Sequence, residues 1–206
     1  MYCSGTRTAA AILQSCLRVF TATDAAQILE LAIALPLLAV LVVGIFDFSQ
    51  AFNLKQKLNN AVREGARFSS SLPTNDLSNA TSCGAPPSPG SVCAVRDLVA
   101  AYLQRAKIND CGLSTQGATA SAPWTYVASG NGCPAGGNLT LTVERDRAFP
   151  ATVPGASGAI YVVSSRVTIS YPYKWRFGNV IRVLVPGATY ASITQISTDA
   201  VVPNMD

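Results

Sequence analysis

Few side chains in this sequence are equipped for chemistry, and one of them stands where charge is expensive. Glu30 interrupts an apolar stretch: Ile28 and Leu29 precede it, and residues 31–46 read LAIALPLLAVLVVGIF, sixteen positions without a charge or an amide. Asp47 bounds the run and Phe48 follows it. A carboxylate inside a bilayer costs on the order of 3 kcal/mol on insertion scales, less near an end, and such groups usually have partners. Two readings are open. Either Glu30 lies at a headgroup boundary and sees water, or it pairs with a specific cation during assembly.

The cysteines are the second set. Cys3 and Cys16 precede the apolar run, and Cys83, Cys93, Cys111 and Cys133 follow it. An even number in loop-rich sequence points to two disulfides in an oxidising compartment. Of the three possible pairings, Cys83–Cys93 and Cys111–Cys133 are favoured because each closes a local loop containing Pro or Gly. Four free thiols in a cytosolic domain are the alternative. No C-x-x-C pair is present, which disfavours zinc. The chain has no histidine, so Ser-His-Asp and Cys-His catalysis, histidine proton shuttles and His-ligated metals are excluded. A third cluster, Glu144, Arg145 and Asp146, could serve a hydrolase, but alternating signs on one strand usually mark a solvated face. The expectation is no enzyme, no metal and no cofactor.

These residues must be carried by 206 residues that are 49% hydrophobic and 13% charged, with a net charge of +4. That length allows one ordinary domain plus an appendage. The composition excludes a disordered or nucleic-acid-coating chain. With Ile28, Leu29 and Phe48 the apolar run approaches twenty residues, and a helix of about that length crosses a hydrocarbon core of roughly 30 Å. A buried core helix would have a polar flank on at least one side, and this segment has none. A cleaved secretory signal would have a shorter core near the N-terminus and an A-x-A site after it. This run starts late and ends in Phe46-Asp47-Phe48. Cys16, with Leu13 three residues before it, lacks the preceding apolar helix of a lipoprotein signal. The expectation is a single span that stays in the mature protein.

Beyond the span, residues 49–70 keep Phe52, Leu54, Leu58, Ala61, Val62 and Ala66 at helical spacing, with Gln50, Lys55, Gln56, Asn59 and Arg63 opposite. This predicts an amphipathic stem. Pro36 and Gly44 would bend the helix or admit another backbone. Residues 72–92, rich in Pro and Gly, read as a loop. Residues 92–106 read as a second helix, with Val95, Leu98, Val99, Tyr102 and Leu103 on one side and Ser91 as its cap. Then the period changes to two. Strands are predicted at 139–145, 160–171 and 188–198, with a short one at 124–128, while 175–185 is ambiguous between a helical turn and a loop. The order predicts an α+β fold with the stem packed on a small antiparallel sheet. Asn79-Ala80-Thr81 and Asn138-Leu139-Thr140 fit the glycosylation pattern, which arises often by chance.

The stretch from Ala26 through Glu30, Pro36 and Leu38, then Gly44-Ile45-Phe46-Asp47-Phe48, then Asn60-Ala61-Val62-Arg63-Glu64-Gly65-Ala66-Arg67, resembles the N-terminal module of the TadE-like family, the pseudopilins of the tight adherence (Flp-type) pilus. The resemblance covers about 45 residues. It implies a pilin-like fold and a structural role in pilus assembly. It also implies trimming by a prepilin peptidase on the cytoplasmic side, at Ala25–Ala26, where Ala25 replaces the usual Gly. The family carboxylate maps onto Glu30. After such a cut, Glu30 would lie at i+4 from the new α-amine at Ala26, on one helix face and near the positive end of the helix dipole. The implied divisions are a leader (1–25), a transmembrane helix (26–48), a stem (49–71) and a periplasmic α+β domain (72–206). Implied partners are the lipid bilayer, the peptidase and other pilin or pseudopilin subunits, with no nucleic acid. The implied location is the bacterial inner membrane, single-pass, with entry into the extracellular pilus left open. The other reading is an anchored periplasmic binding or sensing module that does not polymerise. Sidedness pulls two ways. Arg7 and Arg18 lie before the span, and Lys55, Lys57, Arg63 and Arg67 lie after it. The positive-inside count favours a cytoplasmic domain. Long domains translocate largely regardless of charge, and the cysteines favour the oxidising side, so the periplasmic placement is expected.

Overall fold

The computed structural model describes residues 22–78, 83–130, 132–134, 137–151, 154–155, 158, 160–177 and 193–205. Cys3, Arg7, Cys16, Arg18, Asn79-Ala80-Thr81 and residues 178–192, with the start of the strand expected at 188–198 and most of the ambiguous 175–185, lie outside them.

Helix α1 runs Ala22–Ser71, 50 residues that pass without interruption through Pro36. At 1.5 Å per residue it is about 75 Å long. Its first half stands clear of the other described residues: the large apolar side chains between Ile28 and Leu41 are 54–69% exposed. Its second half is the predicted stem, with Leu58, Ala61, Val62 and Ala66 fully buried and Leu54 packed at the margin. Phe52, expected on that side, is 54% exposed. At 3.6 residues per turn it points roughly 100° away from the centre of the buried stripe.

Helix α2 spans Gly90–Arg105 and buries Val92, Val95, Val99 and Leu103 against α1. Leu98 and Tyr102, expected on the same side, are only half-buried. Ser91 is not its cap. Pro89 occupies that position without a side-chain hydrogen bond. The Asp76 carboxylate does the work from the preceding loop, accepting from Ser91 N at 2.7 Å and Ser91 Oγ at 2.9 Å. That satisfies an orphan N–H and places a negative charge at the positive helix end. Lys57 Nζ donates to Ala106 O at 3.3 Å, so α2 returns antiparallel to α1. The two helices meet closest at Gly65, where an added Cβ would sit 2.9 Å from Val99 Cγ2. Replacing Gly65 by Val therefore should lower stability by about 1–3 kcal/mol through overpacking, even though Gly is itself a poor helix former. Thermal unfolding in detergent checks this, and an unchanged midpoint would contradict it.

The rest is a meander of four antiparallel strands in chain order, β1 (Trp124–Ala128), β2 (Leu139–Ala151), β3 (Ile160–Lys174) and β4 (Ile193–Pro203). β2, β3 and β4 extend further than the period alone indicated. Leu139, Leu141, Val143, Val167 and Ile169 form the inner face, fully buried against α1 and α2. The outer face is polar, with Thr125 Oγ1 and Thr142 Oγ1 at 3.2 Å and an Arg166–Asp199 ion pair at 2.9 Å. The α+β arrangement, with its stem on a small sheet, is the one the residue pattern predicted.

Candidate functional site

The predicted site residues fall in two places. Ala25 and Ala26 lie within the first turns of α1, and Glu30 is exposed one turn further on. Among the described residues Glu30 has no ion pair. Nothing within 4 Å would obstruct a Cβ at Gly44, so no backbone among the described residues uses that opening. The cysteines lie in the folded body instead, with Glu30 roughly 25 Å up the helix from Asp47 at 1.5 Å per residue.

Asp47, read from the sequence only as the boundary of the run, is the joint between the two parts. It is fully buried. Its Oδ1 accepts from Arg176 N at 3.2 Å and its Oδ2 from Phe177 N at 3.1 Å. The Tyr173 hydroxyl donates to its carbonyl at 3.3 Å. Charge-assisted bonds to backbone N–H groups are among the stronger ones. They tie the chain leaving β3 to the helix at the residue where the apolar run stops. A carboxylate closing such a run was the signal available, but its partners lie 129 and 130 residues away.

In the Glu144–Arg145–Asp146 cluster Asp146 is exposed and Glu144 half-buried, but the residue between them turns inward. Arg145 is 2% exposed. Its Nη2 donates to Leu72 O at 2.6 Å, Ser69 O at 3.0 Å and Pro73 O at 3.3 Å, and its Nη1 donates to Ser91 Oγ. Asp76 lies 3.9 Å from Nη1. One guanidinium thus caps the C-terminus of α1, where free carbonyls carry partial negative charge, and ties it to the start of α2. A bulge follows between Glu144 and Arg147, with Asp146 at φ +55°. Arg96, also missed, is 6% exposed and donates from Nη1 to Gln116 O at 2.7 Å while lying over the Tyr126 ring. Burial pushes the Tyr126 phenol above its usual pKa, opposed by the Ser88 hydrogen bond and the Arg96 charge. Burial raises Tyr171 likewise. Both remain neutral core groups.

Cys83 and Cys93 stand at disulfide distance, Cα–Cα 6.2 Å, as do Cys111 and Cys133 at 4.8 Å. The first pair ties the loop before α2 to its first turn; the second ties the loop after α2 to the β1–β2 connection. A polar groove of about 760 Å³ runs between α1 and β4, lined by Arg63, Glu64, Arg67, Tyr102 and Asp199. Its side chains bring no nucleophile beside a base. What the arrangement supports is non-covalent: an apolar half-helix, without partners among the described residues, continuous with the stem of a cross-linked body.

Residues 25–67 match the family model for TadE-like protein. The match covers the exposed half of α1 and most of the stem, and that segment is similar to TadE-like proteins. Among curated proteins and among solved structures, nothing matches the chain. The apolar N-terminal helix fits a membrane-anchored pilus component.

Proposed function

We propose, from this TadE-like segment, that the chain is a pseudopilin-like assembly subunit of a tight adherence type IV pilus. Residues 26–48 hold it in the inner membrane, 49–71 form the stem, and 72–206 form a periplasmic domain. The observation that carries the reading is the apolar half of α1, unburied along its whole most apolar window yet continuous with a stem locked into the body at Asp47. Lipid covers that surface first. Extraction then exchanges lipid contacts for helix–helix contacts, which in membranes favour small residues and close approach such as the opening at Gly44. A prepilin peptidase trims the chain at Ala25–Ala26, and Glu30 is neutralised by the α-amine of Ala26, its own or a neighbour's, setting axial register. Since Ala22–Ser71 is helical through the scissile bond, the peptidase must unwind the first turn to reach an extended backbone.

The second reading, an anchored periplasmic module that binds or senses and never polymerises, finds support in the polar groove beside Arg63 and Arg67. Intact mass of the membrane-derived chain separates them. Loss of residues 1–25 is the expected result, and a retained Met1 start would favour the second. Sidedness has its own check. In native protein Cys83, Cys93, Cys111 and Cys133 should resist alkylation until reductant is added; four freely alkylated thiols would defeat the periplasmic placement. Reduction should then cost about 3 kcal/mol for the loop closed by Cys111–Cys133, read as a lower unfolding midpoint.

A further inference from the structure

The loop leaving β3, residues 173–177, hangs over the point where the apolar run of α1 ends. Its height is fixed, because Asp47 accepts from the backbone of both Arg176 and Phe177. Tyr173 and Trp175 stack edge to face with centroids 5.2 Å apart, and the indole Nε1 donates to Thr194 Oγ1 at 3.0 Å. Between these rings and Phe48 and Phe52 lies a groove of about 390 Å³. Phe48, 65% exposed, also lines the open apolar face of α1 that continues up through Ile45 and Leu41. Lys55 lines this groove, and Lys174 and Arg176, which flank Trp175 in the chain, are exposed. The nearby carboxylate, Asp47, is turned inward and occupied.

We infer that this loop is a collar that rests on the bilayer surface and binds anionic phospholipid headgroups. The inference rests on the reading of α1 as a membrane span. Three features select this occupant. The groove is continuous with the surface that lipid covers, so the bilayer reaches it without any change of shape. Trp175, partly exposed beside the groove, is of the type that favours the headgroup layer, apolar in body and polar at the tip. Lys55, Lys174 and Arg176 supply phosphate-binding charge at that same level. A second copy of α1 would bring apolar side chains to the groove but only Glu30 as an anion within its span. The collar thus sets how far the body stands above the membrane and in which rotation about α1 it is presented.

The test uses the full chain in vesicles of phosphatidylcholine mixed with phosphatidylglycerol. The sequence has two tryptophans, and Trp124 is 6% exposed in the core, so Trp124→Phe leaves Trp175 as the sole reporter. Should that variant fail to fold, the difference between the natural chain and Trp175→Phe gives the same signal. Lipids brominated near the headgroup end of the acyl chain should quench Trp175 more than lipids brominated near the bilayer centre. At equal mole fraction, brominated phosphatidylglycerol should quench more than brominated phosphatidylcholine, with an association preference of about fivefold per cation. Lys55→Gln with Lys174→Gln and Arg176→Gln should remove that preference. Trp175 left unquenched in vesicles that float with the chain would overturn the collar and leave the span intact. Equal quenching by both lipids would overturn the headgroup assignment. Shielding of Trp175 that rises with protein-to-lipid ratio, without quenching by lipid, would overturn it in favour of a second copy. A chain that fails to float with the vesicles would defeat the membrane reading and the collar together.

Discussion

Arg145→Leu should lower the stability of the folded body by about 3–5 kcal/mol, the range for breaking a buried charged network by removing one partner. The guanidinium reaches Ser69 O, Leu72 O, Pro73 O and Ser91 Oγ at once. A leucine fills comparable volume but removes the guanidinium donor from Leu72 O and Pro73 O, while Ser69 O keeps Leu72 N, and an unmet buried acceptor costs about 1–3 kcal/mol. Asp76 keeps its bonds to Ser91 N and Oγ and stays partly solvated, so the loss is not larger. Against a total of about 5–15 kcal/mol the body becomes marginal. Arg145→Lys should recover part of the loss, because an ammonium restores the charge but not the planar fork that serves several acceptors. Urea unfolding of the detergent-solubilised chain reads both variants. A change below about 1 kcal/mol for Arg145→Leu would contradict the structural role.

The second large effect concerns assembly and leaves folding untouched. Glu30→Leu should insert at least as well as the natural chain, since it removes a charge that costs on the order of 3 kcal/mol in lipid. Pilus formation should nevertheless collapse. If a neighbour's amine recovers most of that cost only in the correct axial register, the register is favoured by a factor on the order of a hundred. A leucine slides without that preference. The body should melt at the same temperature as before, because Glu30 lies far from it along α1. Counting pili by electron microscopy on cells carrying the variant, with membrane levels of the chain as control, gives the answer. Normal piliation would remove Glu30 from the mechanism.

Periodicity carried most of what the sequence revealed about this fold. Leu58, Ala61, Val62 and Ala66 recur at helical spacing because one face of a helix must meet a core, and they are buried as that spacing requires. Leu139, Leu141 and Val143 alternate because a strand shows its core every second residue, and they too are buried. The same rule applied one step further would have found Arg145, which shares their parity. Residue type argued for solvent and period argued for the interior; period won because the interior offered four acceptors. Asp47 and Asp76 were not legible in this way. Their partners, Arg176, Phe177 and Ser91, are backbone or hydroxyl groups brought in by the tertiary fold, and no local spacing encodes such a meeting. Ser91 shows the converse: a residue of capping type close to a helix start is itself a donor to a carboxylate in the preceding loop, which takes the capping role. At the free end of α1 the sequence was more informative than the folded body. An apolar run with one acid is a physical oddity on its own, although among the described residues nothing pairs with that acid.

The central claim is that the first half of α1 is solvated by lipid rather than by protein. Membranes from cells making the full chain, washed in alkaline carbonate, test it most directly. The account predicts that the chain stays in the membrane pellet and leaves it only with detergent. Release into the supernatant as a monomer, with residues 28–46 protected inside its own fold, would contradict it.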